Sequence, residues 1–299
     1  MGPMKIGILG YGSIGRRHTK NATALGHQTR VYDPQIGDFT REHVIGWADA
    51  IIVASPTEDH VIDLHDSLAS GKHVLVEKPI GYDSPNTIEN IFSNAAYDLI
   101  VATGFNLRFH SCVQETVRVL NKGLLGDIQC ASFSVLQKSD KSPYLRDGVI
   151  RNWAVHEIDL AHFFFGEGGV IQCTAPMDDQ GKDSTECFIT MKFPSVADRV
   201  FIQADYYTDP QQRFYWIEGS VASIYVNLIR REIAMRINGE GMALYFQGHD
   251  SFDDNYVDEL KTFINVIETS DHGKWLAGGY DGIRALRTVM AARKMAGLE

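Results

Sequence analysis

The sequence contains few cysteines, no long apolar run and a deficit of positive charge, and each shortage excludes a class of protein. The four cysteines are widely spaced and form no C-x-x-C pair. Structural zinc ligands usually come in such pairs, so we predict no metal site and expect reduced thiols, as in a cytoplasmic protein. No segment approaches the roughly 20 apolar residues that a membrane span needs. An apolar strand follows the N-terminus at once, so no secretory signal peptide is expected either.

Positive charge is scarce, because 28 lysines and arginines stand against 38 aspartates and glutamates, for a net charge of −10. A nucleic-acid partner needs a basic surface opposite its phosphates, and this balance argues against one. The length of 299 residues is too great for one small core and suits two domains. We therefore expect a soluble two-domain protein without a nucleic-acid or membrane partner.

Short apolar runs alternate with longer helical patterns in residues 1–122. Strands are predicted at 5–9, 28–32, 50–53, 73–76 and 99–102, and helices at 14–25, 58–69, 84–96 and 112–121. Runs that are apolar on both faces and separated by helices indicate a parallel sheet covered on both sides. The first domain is therefore predicted to be an α/β domain with a doubly wound parallel sheet of the Rossmann type.

After residue 122 the pattern changes to apolar residues at every second position. Segments 185–193, 199–206 and 233–237 show it, Asn238-Gly239 is a hairpin-turn signal, and 258–269 and 281–299 are helical by apolar spacing. Such alternation is typical of an antiparallel sheet with one exposed face. We predict a second domain at 123–299, an α+β domain built on a large, mostly antiparallel open-faced sheet.

The segment ILGYGSIG lies between the first predicted strand and the first predicted helix and contains glycines in the order G-x-G-x-x-G. Gly10 makes the tight turn, Gly12 lets the backbone approach a pyrophosphate, and Gly15 lets the helix pack on the strand. The N–H groups at the helix start, which include those of Ser13 and Ile14, then bind the phosphates. The motif alone is weak evidence, but its place between strand and helix indicates a dinucleotide site.

An acidic residue ends the second predicted strand. Asp33 follows the glycines by about twenty residues, the distance at which a carboxylate accepts hydrogen bonds from a ribose 2′-hydroxyl. The same carboxylate repels a 2′-phosphate, so NAD is favoured over NADP as the cofactor. A plain turn at Asp33-Pro34 is the alternative interpretation.

Four motifs in sequence order resemble those of the Gfo/Idh/MocA family of sugar and cyclitol oxidoreductases. They are GYGSIG, ASPTEDH at 54–60, GKHVLVEKP at 71–79 and HEIDL at 156–160. Only the combination is specific, and the resemblance covers most of the chain, from about Lys5 to the DGIRAL segment near the C-terminus. It implies an NAD-dependent dehydrogenase that transfers hydride between nicotinamide and a secondary hydroxyl or ketone of a sugar, a sugar derivative or a cyclitol.

The resemblance also implies a catalytic pair. Lys78, followed by Pro79 in a cis peptide bond, would hydrogen-bond the reacting hydroxyl and stabilise negative charge on its oxygen. His156 would accept the hydroxyl proton, because the pKa of imidazole lies near working pH. The alternatives are a solvated lysine at a strand end and a histidine satisfied by backbone groups. Asp159 and His162 are expected to support or pack rather than to catalyse.

A third candidate catalytic residue departs from the family pattern. The family often has Asp where this chain has Asn152, four residues before the histidine. An amide can orient a hydroxyl but carries no charge, which leaves open a slower enzyme, another substrate or a site without chemistry. Asn152 as a simple helix N-cap is the competing interpretation.

Further residues are assigned to the cofactor, namely Ser55, Pro56, Thr57, His60, Glu77, Lys78 and Asn106. Ser55 to Thr57 would form the loop beneath the riboses. His60 either caps the helix that follows this loop or contacts the cofactor.

The remaining candidates are assigned to the substrate. Arg108 binds either a substrate anion or an acidic neighbour, and with Arg146 and Arg151 it could recognise a phosphate or a nucleotide diphosphate on a sugar. Tyr144 and Trp153 either stack on a sugar face or pack. With Lys78, Asn152 and His156 these residues make up the predicted substrate site.

Two other classes of function stay open, and one assembly is expected. Some relatives in the family are non-catalytic, dinucleotide-responsive regulators, and others are glycoside hydrolases that use tightly held NAD in a transient redox cycle. Phe188, Phe201 and Tyr215 are expected on the outer sheet face, where an apolar patch usually marks an interface. A homodimer or homotetramer through the C-terminal sheet is therefore predicted.

Overall fold

The computed structural model describes residues 2–139, 147–177, 183–237, 239–269 and 277–298. The strands are β1 (Lys5–Leu9), β2 (Gln28–Tyr32), β3 (Ala50–Val53), β4 (His73–Glu77), β5 (Val101–Gly104), β6 (Ile128–Leu136), β7 (Gly169–Thr174), β8 (Glu186–Lys192), β9 (Val200–Asp205), β10 (Gln212–Gly219), β11 (Ala222–Asn227), β12 (Glu232–Ile237) and β13 (Ala243–Gln247). The α-helices are α1 (Ser13–Ala24), α2 (Arg41–Trp47), α3 (His60–Ala69), α4 (Pro85–Asn94), α5 (Ser111–Asn121), α6 (Val155–Phe165), α7 (Phe252–Thr269) and α8 (Gly279–Met295).

The chain divides into two compact units, and both are discontinuous. The first combines Met1–Phe109 with Ser251–Leu286, and the second combines His110–Asp250 with Arg287–Glu299. This division differs from the boundary predicted between residues 122 and 123, because the chain returns to the first unit after the second sheet is complete.

The first unit contains a five-stranded parallel sheet in the order β2-β1-β3-β4-β5. Every residue of β3 is buried, and in β4 only His73 is partly exposed. Strands of this kind need cover on both faces, which helices provide. The Rossmann-type sheet predicted from the apolar runs is confirmed.

Helix α7 explains why the chain returns to the first unit. Its buried face carries Leu260, Phe263 and Ile264, which join the same apolar cluster as Ile8 of β1 and Leu75 of β4. Burial of such side chains stabilises the fold by about 1.5–3 kcal/mol each. Helix α7 is therefore a structural part of the parallel-sheet unit, although it lies far along the chain.

The second unit contains an eight-stranded sheet in the order β13-β12-β11-β10-β6-β9-β8-β7. Neighbouring strands are antiparallel except β6 and β9, which are parallel. The predicted large, mostly antiparallel sheet is confirmed. The hairpin signal at Asn238 lies outside the described residues.

The outer face of this sheet exposes some of the predicted aromatic residues but not all. Phe188 and Phe201 are 48% and 44% exposed, as predicted, whereas Tyr215 is 1% exposed. The prediction for Tyr215 was wrong because the alternation along β10 turns it inward, opposite the buried Phe133 of β6. Its hydroxyl lies 2.6 Å from Oγ1 of Thr116 in α5, so the ring belongs to the core.

No helix in the described segments is both long enough and apolar enough to cross a bilayer.

Candidate active site

The glycine-rich turn between β1 and α1 has the geometry that the sequence predicts. Gly10 has φ of +93°, and a Cβ there would lie 2.5 Å from the carbonyl oxygen of Ala54. A Cβ on Gly15 would lie 2.1 Å from the carbonyl oxygen of Gly10, whereas the space around Gly12 is open. Gly10 and Gly15 are therefore required for the turn and for packing, and Gly12 leaves room for a ligand.

The first turn of α1 is suited to an anion. Gly12 is the N-cap residue, no side chain caps the helix, and its first turn contains no acidic residue. The first N–H groups of a helix have no intrahelical partner, and the helix dipole adds positive potential at this end. The N–H groups of Ser13, Ile14 and Gly15 are thus oriented as a phosphate would require.

The carboxylate of Asp33 is hydrogen-bonded to the glycine-rich turn. Its Oδ2 accepts a hydrogen bond of 2.8 Å from the backbone N–H of Tyr11, and its Oδ1 accepts one of 2.9 Å from the N–H of Gln35. The bond from Gln35 belongs to the plain turn of the alternative interpretation. The bond from Tyr11 additionally connects Asp33 to the turn after β1. Each carboxylate oxygen keeps a second lone pair that can accept a hydroxyl.

The loop after β3 is hydrogen-bonded to Asp63 of α3, which is itself paired with Arg41 of α2. Oγ of Ser55 donates to Oδ2 of Asp63 at 2.6 Å, and Nε of Arg41 donates to the other oxygen at 2.7 Å. Pro56 and Thr57 lead into a short 3₁₀ turn, Thr57–Asp59. The loop predicted to lie beneath the riboses is therefore fixed by α3.

His60 contacts two backbone carbonyl groups instead of capping α3. The N-cap of α3 is Asp59, so the capping interpretation was wrong. The ring of His60 is buried, with Nδ1 at 2.9 Å from the carbonyl oxygen of Pro79 and Nε2 at 2.9 Å from that of Ser55. One side chain thus connects the loop after β3 to the loop after β4.

The Glu77-Lys78-Pro79 segment ends β4 as predicted, and the Lys78–Pro79 peptide bond is cis, as the resemblance implies. Glu77 is buried, and its Oε1 lies 2.9 Å from Nε2 of His18 in α1. Its Oε2 accepts a hydrogen bond of 3.3 Å from the backbone N–H of Lys78. The side chain of Lys78 is half-buried.

The environment of Glu77 favours its ionised form. Burial raises the pKa of this carboxyl group, but the hydrogen bond from His18 and the charges of His18, Lys78 and His60 outweigh burial and hold the pKa below its ordinary value. Sequence reasoning missed His18. The signal was the spacing of Gly15, His18 and Ala22, which places all three on the buried face of α1.

The residues predicted after β5 lie in a second 3₁₀ turn, Asn106–Phe109, in which both Asn106 and Arg108 are buried. Nη1 of Arg108 lies 3.2 Å from Oδ2 of Asp281, which also accepts a hydrogen bond of 3.0 Å from the N–H of Gly278. Arg108 therefore has the acidic neighbour that one of its two interpretations requires.

Asn152 lies in a π-helical turn, Ile150–Ala154, that leads directly into α6. The caps of these two segments are Val149 and Ala154, so the interpretation of Asn152 as an N-cap was wrong. Its Nδ2 donates to the buried hydroxyl of Tyr206 at 3.2 Å. Burial raises the pKa of Tyr206 far above its ordinary value, which keeps the hydroxyl protonated.

Trp153 packs edge-on against the ring of Tyr206, with 4.5 Å between ring centroids. Arg151 is half-buried in the same π-helical turn. Tyr144 and Arg146, also predicted to contact substrate, lie outside the described residues.

The start of this turn is fixed by a buried ion pair. Nη1 of Arg293 in α8 lies 2.9 and 2.8 Å from the two carboxylate oxygens of Asp183. A Cβ on Gly148 would lie 2.1 Å from Oδ1 of Asp183, and the N–H of Val149 donates to the carbonyl of Ser184 at 3.0 Å. The chain entering the π-helical turn therefore lies directly against the carboxylate.

His156 is half-buried in the first turn of α6, and two buried residues that follow it fix the helix. Oε1 of Glu157 lies 2.8 and 2.7 Å from Nε and Nη2 of Arg213 in β10. In the last turn, His162 bonds the carbonyl of Gly166 at 3.0 Å and Oγ1 of Thr288 at 2.9 Å. His162 is thus a packing residue, as expected, and Asp159 is likewise buried.

Metal-ligating residues do not cluster in the part of the chain that the structure describes, where no group of three or more His, Cys, Asp or Glu side chains could hold an ion. The cysteines form no disulfide. Burial raises the pKa of Cys173 to about 11 and that of Cys112 to about 12, so these two thiols are protonated near neutral pH.

Comparison with known proteins gives distant relatives along the whole chain. No family model matches the sequence. Myo-inositol 2-dehydrogenase of Thermotoga maritima is 23% identical, over 97% of this chain and 96% of its own. Among solved structures, UDP-N-acetylglucosamine 3-dehydrogenase from Acidithiobacillus ferrooxidans has a TM-score of 0.86 at 18% identity, over 100% of this chain and 99% of that one. Levoglucosan dehydrogenase in complex with NADH and levoglucosan has a TM-score of 0.86 at 15% identity, over 99% and 98%.

These similarities confirm two predictions. The solved structures have the predicted fold, a Rossmann-type unit with a second, open-faced sheet. The relatives and structural neighbours are named as dehydrogenases of cyclitols and sugars, as the resemblance to the Gfo/Idh/MocA family and the predicted enzyme class require.

Proposed function

We propose that this protein is an NAD-dependent dehydrogenase that transfers hydride between nicotinamide and a secondary hydroxyl or ketone of a sugar, sugar derivative or cyclitol. The observation that carries the proposal is the Glu77-Lys78-Pro79 segment. It ends β4 at the same edge of the parallel sheet as the glycine-rich turn that follows β1. In open α/β sheets, ligands bind at this carboxyl edge.

The cofactor site is proposed from the turn after β1 and the end of β2. Open space at Gly12 and the uncapped start of α1 suit a pyrophosphate, and Asp33 suits a ribose with free hydroxyls. The first basic residue after Asp33 in the sequence is Arg41, whose guanidinium is bound by Asp63 and Asp66 at 2.7 Å each. At the end of β2 a 2′-phosphate would therefore meet the Asp33 carboxylate, while Arg41 is already paired, which supports NAD over NADP.

When bound, the nicotinamide ring would supply the hydride acceptor or donor. Lys78 would hydrogen-bond the reacting oxygen and stabilise negative charge on it.

His156 is proposed to take the hydroxyl proton when the substrate is oxidised and to return it when the ketone is reduced. Its place in the first turn of α6 is set by the Glu157–Arg213 ion pair beside it. Asn152, four residues earlier, would bind a substrate hydroxyl through its amide, with its Nδ2 oriented by Tyr206. Proton transfer is thereby left to His156 and Lys78, because an amide does not titrate.

The experiment that tests this proposal is a substrate panel followed at 340 nm. The purified protein is assayed with NAD⁺ and with NADP⁺ against myo-inositol, UDP-N-acetylglucosamine and levoglucosan. Formation of NADH with at least one of them, at a higher kcat/KM with NAD⁺ than with NADP⁺, is the expected result. Equal efficiency with NADP⁺ would overturn the cofactor preference.

The same panel separates the two alternative functions. Cleavage of a glycoside such as p-nitrophenyl-β-D-glucoside without net NADH would favour an NAD-dependent hydrolase. NAD⁺ binding without turnover of any carbohydrate would favour a dinucleotide-responsive regulator, to which Asn152 in place of the family's usual Asp lends some support. Either outcome would contradict the dehydrogenase.

We also propose that the protein pairs with a second copy through the outer face of its eight-stranded sheet. Phe188 of β8 and Phe201 of β9 are exposed on neighbouring strands of that face. Phe188→Asp together with Phe201→Asp should convert a dimer or tetramer to a smaller species in light scattering. Tyr97→Asp, at an exposed site in the first unit, is the matched control. A wild-type monomer at micromolar concentration would refute the pairing.

A further inference from the structure

Two buried histidines from different helices contact the segment that carries Lys78. His18 of α1 reaches the side chain of Glu77 through Nε2 at 2.9 Å. His60 of α3 reaches the carbonyl oxygen of Pro79 through Nδ1 at 2.9 Å. The residues on both sides of Lys78 are therefore each bonded to a different helix.

The Glu77 carboxylate connects His18 to the backbone of Lys78. The Glu77 carboxylate accepts from His18 through Oε1 and from the N–H of Lys78 through Oε2. A carboxylate bonded through both oxygens is restricted in rotation, so loss of the bond at Oε1 would free the oxygen that accepts from the Lys78 N–H. Gly104 of β5 leaves the room that this carboxylate occupies, because a Cβ there would lie only 3.0 Å from it.

His60 acts on the other side of Lys78 and has a second bond. Its Nδ1 lies 2.9 Å from the carbonyl oxygen of Pro79, and its Nε2 lies 2.9 Å from that of Ser55. The loop after β3 and the loop after β4 are thereby held together by one buried ring.

We propose that His18 and His60 are positioning residues that together fix the backbone on both sides of Lys78 and so aim its side chain. This inference rests on the proposed function, in which Lys78 contacts the reacting oxygen. Neither histidine is assigned a contact with the substrate. A displacement of about 1 Å in a catalytic group can cost about 10²-fold in rate, so fixing the backbone here matters for catalysis.

The two nitrogens of a histidine can be tested separately with amide side chains. The nitrogen of Asn falls near the position of Nδ1, and that of Gln falls near the position of Nε2. At residue 18 the bond to Glu77 uses Nε2, so His18→Gln retains a donor there and His18→Asn does not. At residue 60 the bond to Pro79 uses Nδ1, so His60→Asn retains it, whereas His60→Gln retains only the bond to Ser55.

The proposal predicts a crossed pattern that a general loss of packing would not produce. His18→Asn should lose more kcat than His18→Gln, and His60→Gln should lose more than His60→Asn, each by about tenfold or more. The dissociation constant for NADH, measured by fluorescence titration, should rise mainly in His60→Asn, which releases the loop at Ser55. His65→Asn and His65→Gln, at an exposed histidine of the same helix as His60, are the controls.

A second measurement needs no substrate. Hydrogen–deuterium exchange of the Lys78 amide, read by mass spectrometry of peptides spanning residues 73–82 with saturating NADH, reports directly on the bond to Glu77. Exchange should be about tenfold faster in His18→Asn and His60→Gln than in wild type, which corresponds to about 1.4 kcal/mol in local opening. Exchange equal to wild type in both variants would overturn the proposal.

Lys78→Met separates failure of this inference from failure of the proposed function. If Lys78→Met abolishes turnover while the Asn and Gln variants at 18 and 60 show no crossed pattern, positioning by the histidines is refuted and the dehydrogenase stands. If Lys78→Met is as active as wild type, or wild type turns over nothing in the panel, the proposed function fails. The exchange measurement then still decides whether the two histidines fix the Lys78 backbone.

Discussion

The two candidate catalytic segments, one in each unit, are held in place by different chemistry. The Glu77-Lys78-Pro79 segment is anchored by two histidines, which bond a carboxylate and a backbone carbonyl. The π-helical turn that carries Asn152 is anchored by the Asp183–Arg293 ion pair and by the hydroxyl of Tyr206. The first anchor relies on imidazole nitrogens, whereas the second relies on a guanidinium, a carboxylate and a buried hydroxyl.

This difference indicates how each segment should respond to change. An anchor made of an arginine and a carboxylate keeps its charges across the working pH range, and losing one partner leaves the other buried and unpaired. An anchor made of histidines depends on where each N–H lies, and the bond from His18 also needs the ionised carboxylate of Glu77. The second unit should therefore be the more sensitive to charge deletion, and the first should be the more sensitive to protonation of Glu77 in acid.

The largest expected effect is on the stability of the second unit. Asp183→Asn leaves the Arg293 charge buried and should lower the free energy of unfolding by about 3–5 kcal/mol, measured by urea denaturation. Asp258→Asn, in the exposed pair with Lys261, is the matched control and should cost less than about 1 kcal/mol. Similar losses in the two variants would remove the distinction drawn between the anchors.

The next effect is on catalysis in both units. Lys78→Ala and His156→Ala should each reduce kcat by at least about 10²-fold, the usual scale for a positioned acid/base group, with the substrate that the panel identifies. Lys20→Ala and His249→Ala change exposed residues of the same two units and should leave kcat unchanged. Loss of activity in only one of the two alanine variants would assign the chemistry to a single segment.

A smaller effect concerns acid stability of the first unit. The pKa of Glu77 lies below its ordinary value of 4.5, so Glu77 contributes stability that is fully present above pH 4.5 and is lost as pH falls through the lower folded value. His18→Asn should remove about 1.5 kcal/mol of that contribution and move the acid-unfolding midpoint, followed by circular dichroism, to higher pH. An unchanged midpoint would mean that His18 does not stabilise the carboxylate.

The smallest effect is expected at the neutral anchor of the second unit. Tyr206→Phe removes the acceptor of the Asn152 amide and should cost about 1 kcal/mol in urea unfolding. Tyr207→Phe removes an exposed hydroxyl that bonds Glu186 and should cost less. A larger loss of unfolding free energy in Tyr207→Phe than in Tyr206→Phe would show that burial does not set the strength of this anchor.

Local sequence signals predicted the parts of the molecule that local chemistry determines. The turn at Gly10, Gly12 and Gly15 and the strand that ends at Glu77 follow from glycine geometry and from continuous apolar runs. The antiparallel sheet followed from alternation in segments such as 185–193. In each case the residues that form the feature are adjacent or nearly adjacent in the chain.

Features that depend on distant partners could not be predicted. Nothing near His60 in the sequence shows that Pro79 supplies its partner, and nothing near Arg108 points to Asp281. Tyr215 was misplaced because only the register with β6 shows which face of β10 is buried. These side chains contact groups that are distant in the sequence, and hydrophobic periodicity does not identify such partners.

The late return of the chain to the parallel sheet has a practical consequence for anyone who wants the dinucleotide-binding half alone. A fragment that ends at residue 122, where the sequence pattern changes, would lack α7 and would leave Ile8 and Leu75 without part of their apolar cover. Such a fragment should aggregate. A usable minimal module would need residues 251–286 spliced back to the N-terminal segment through an artificial linker.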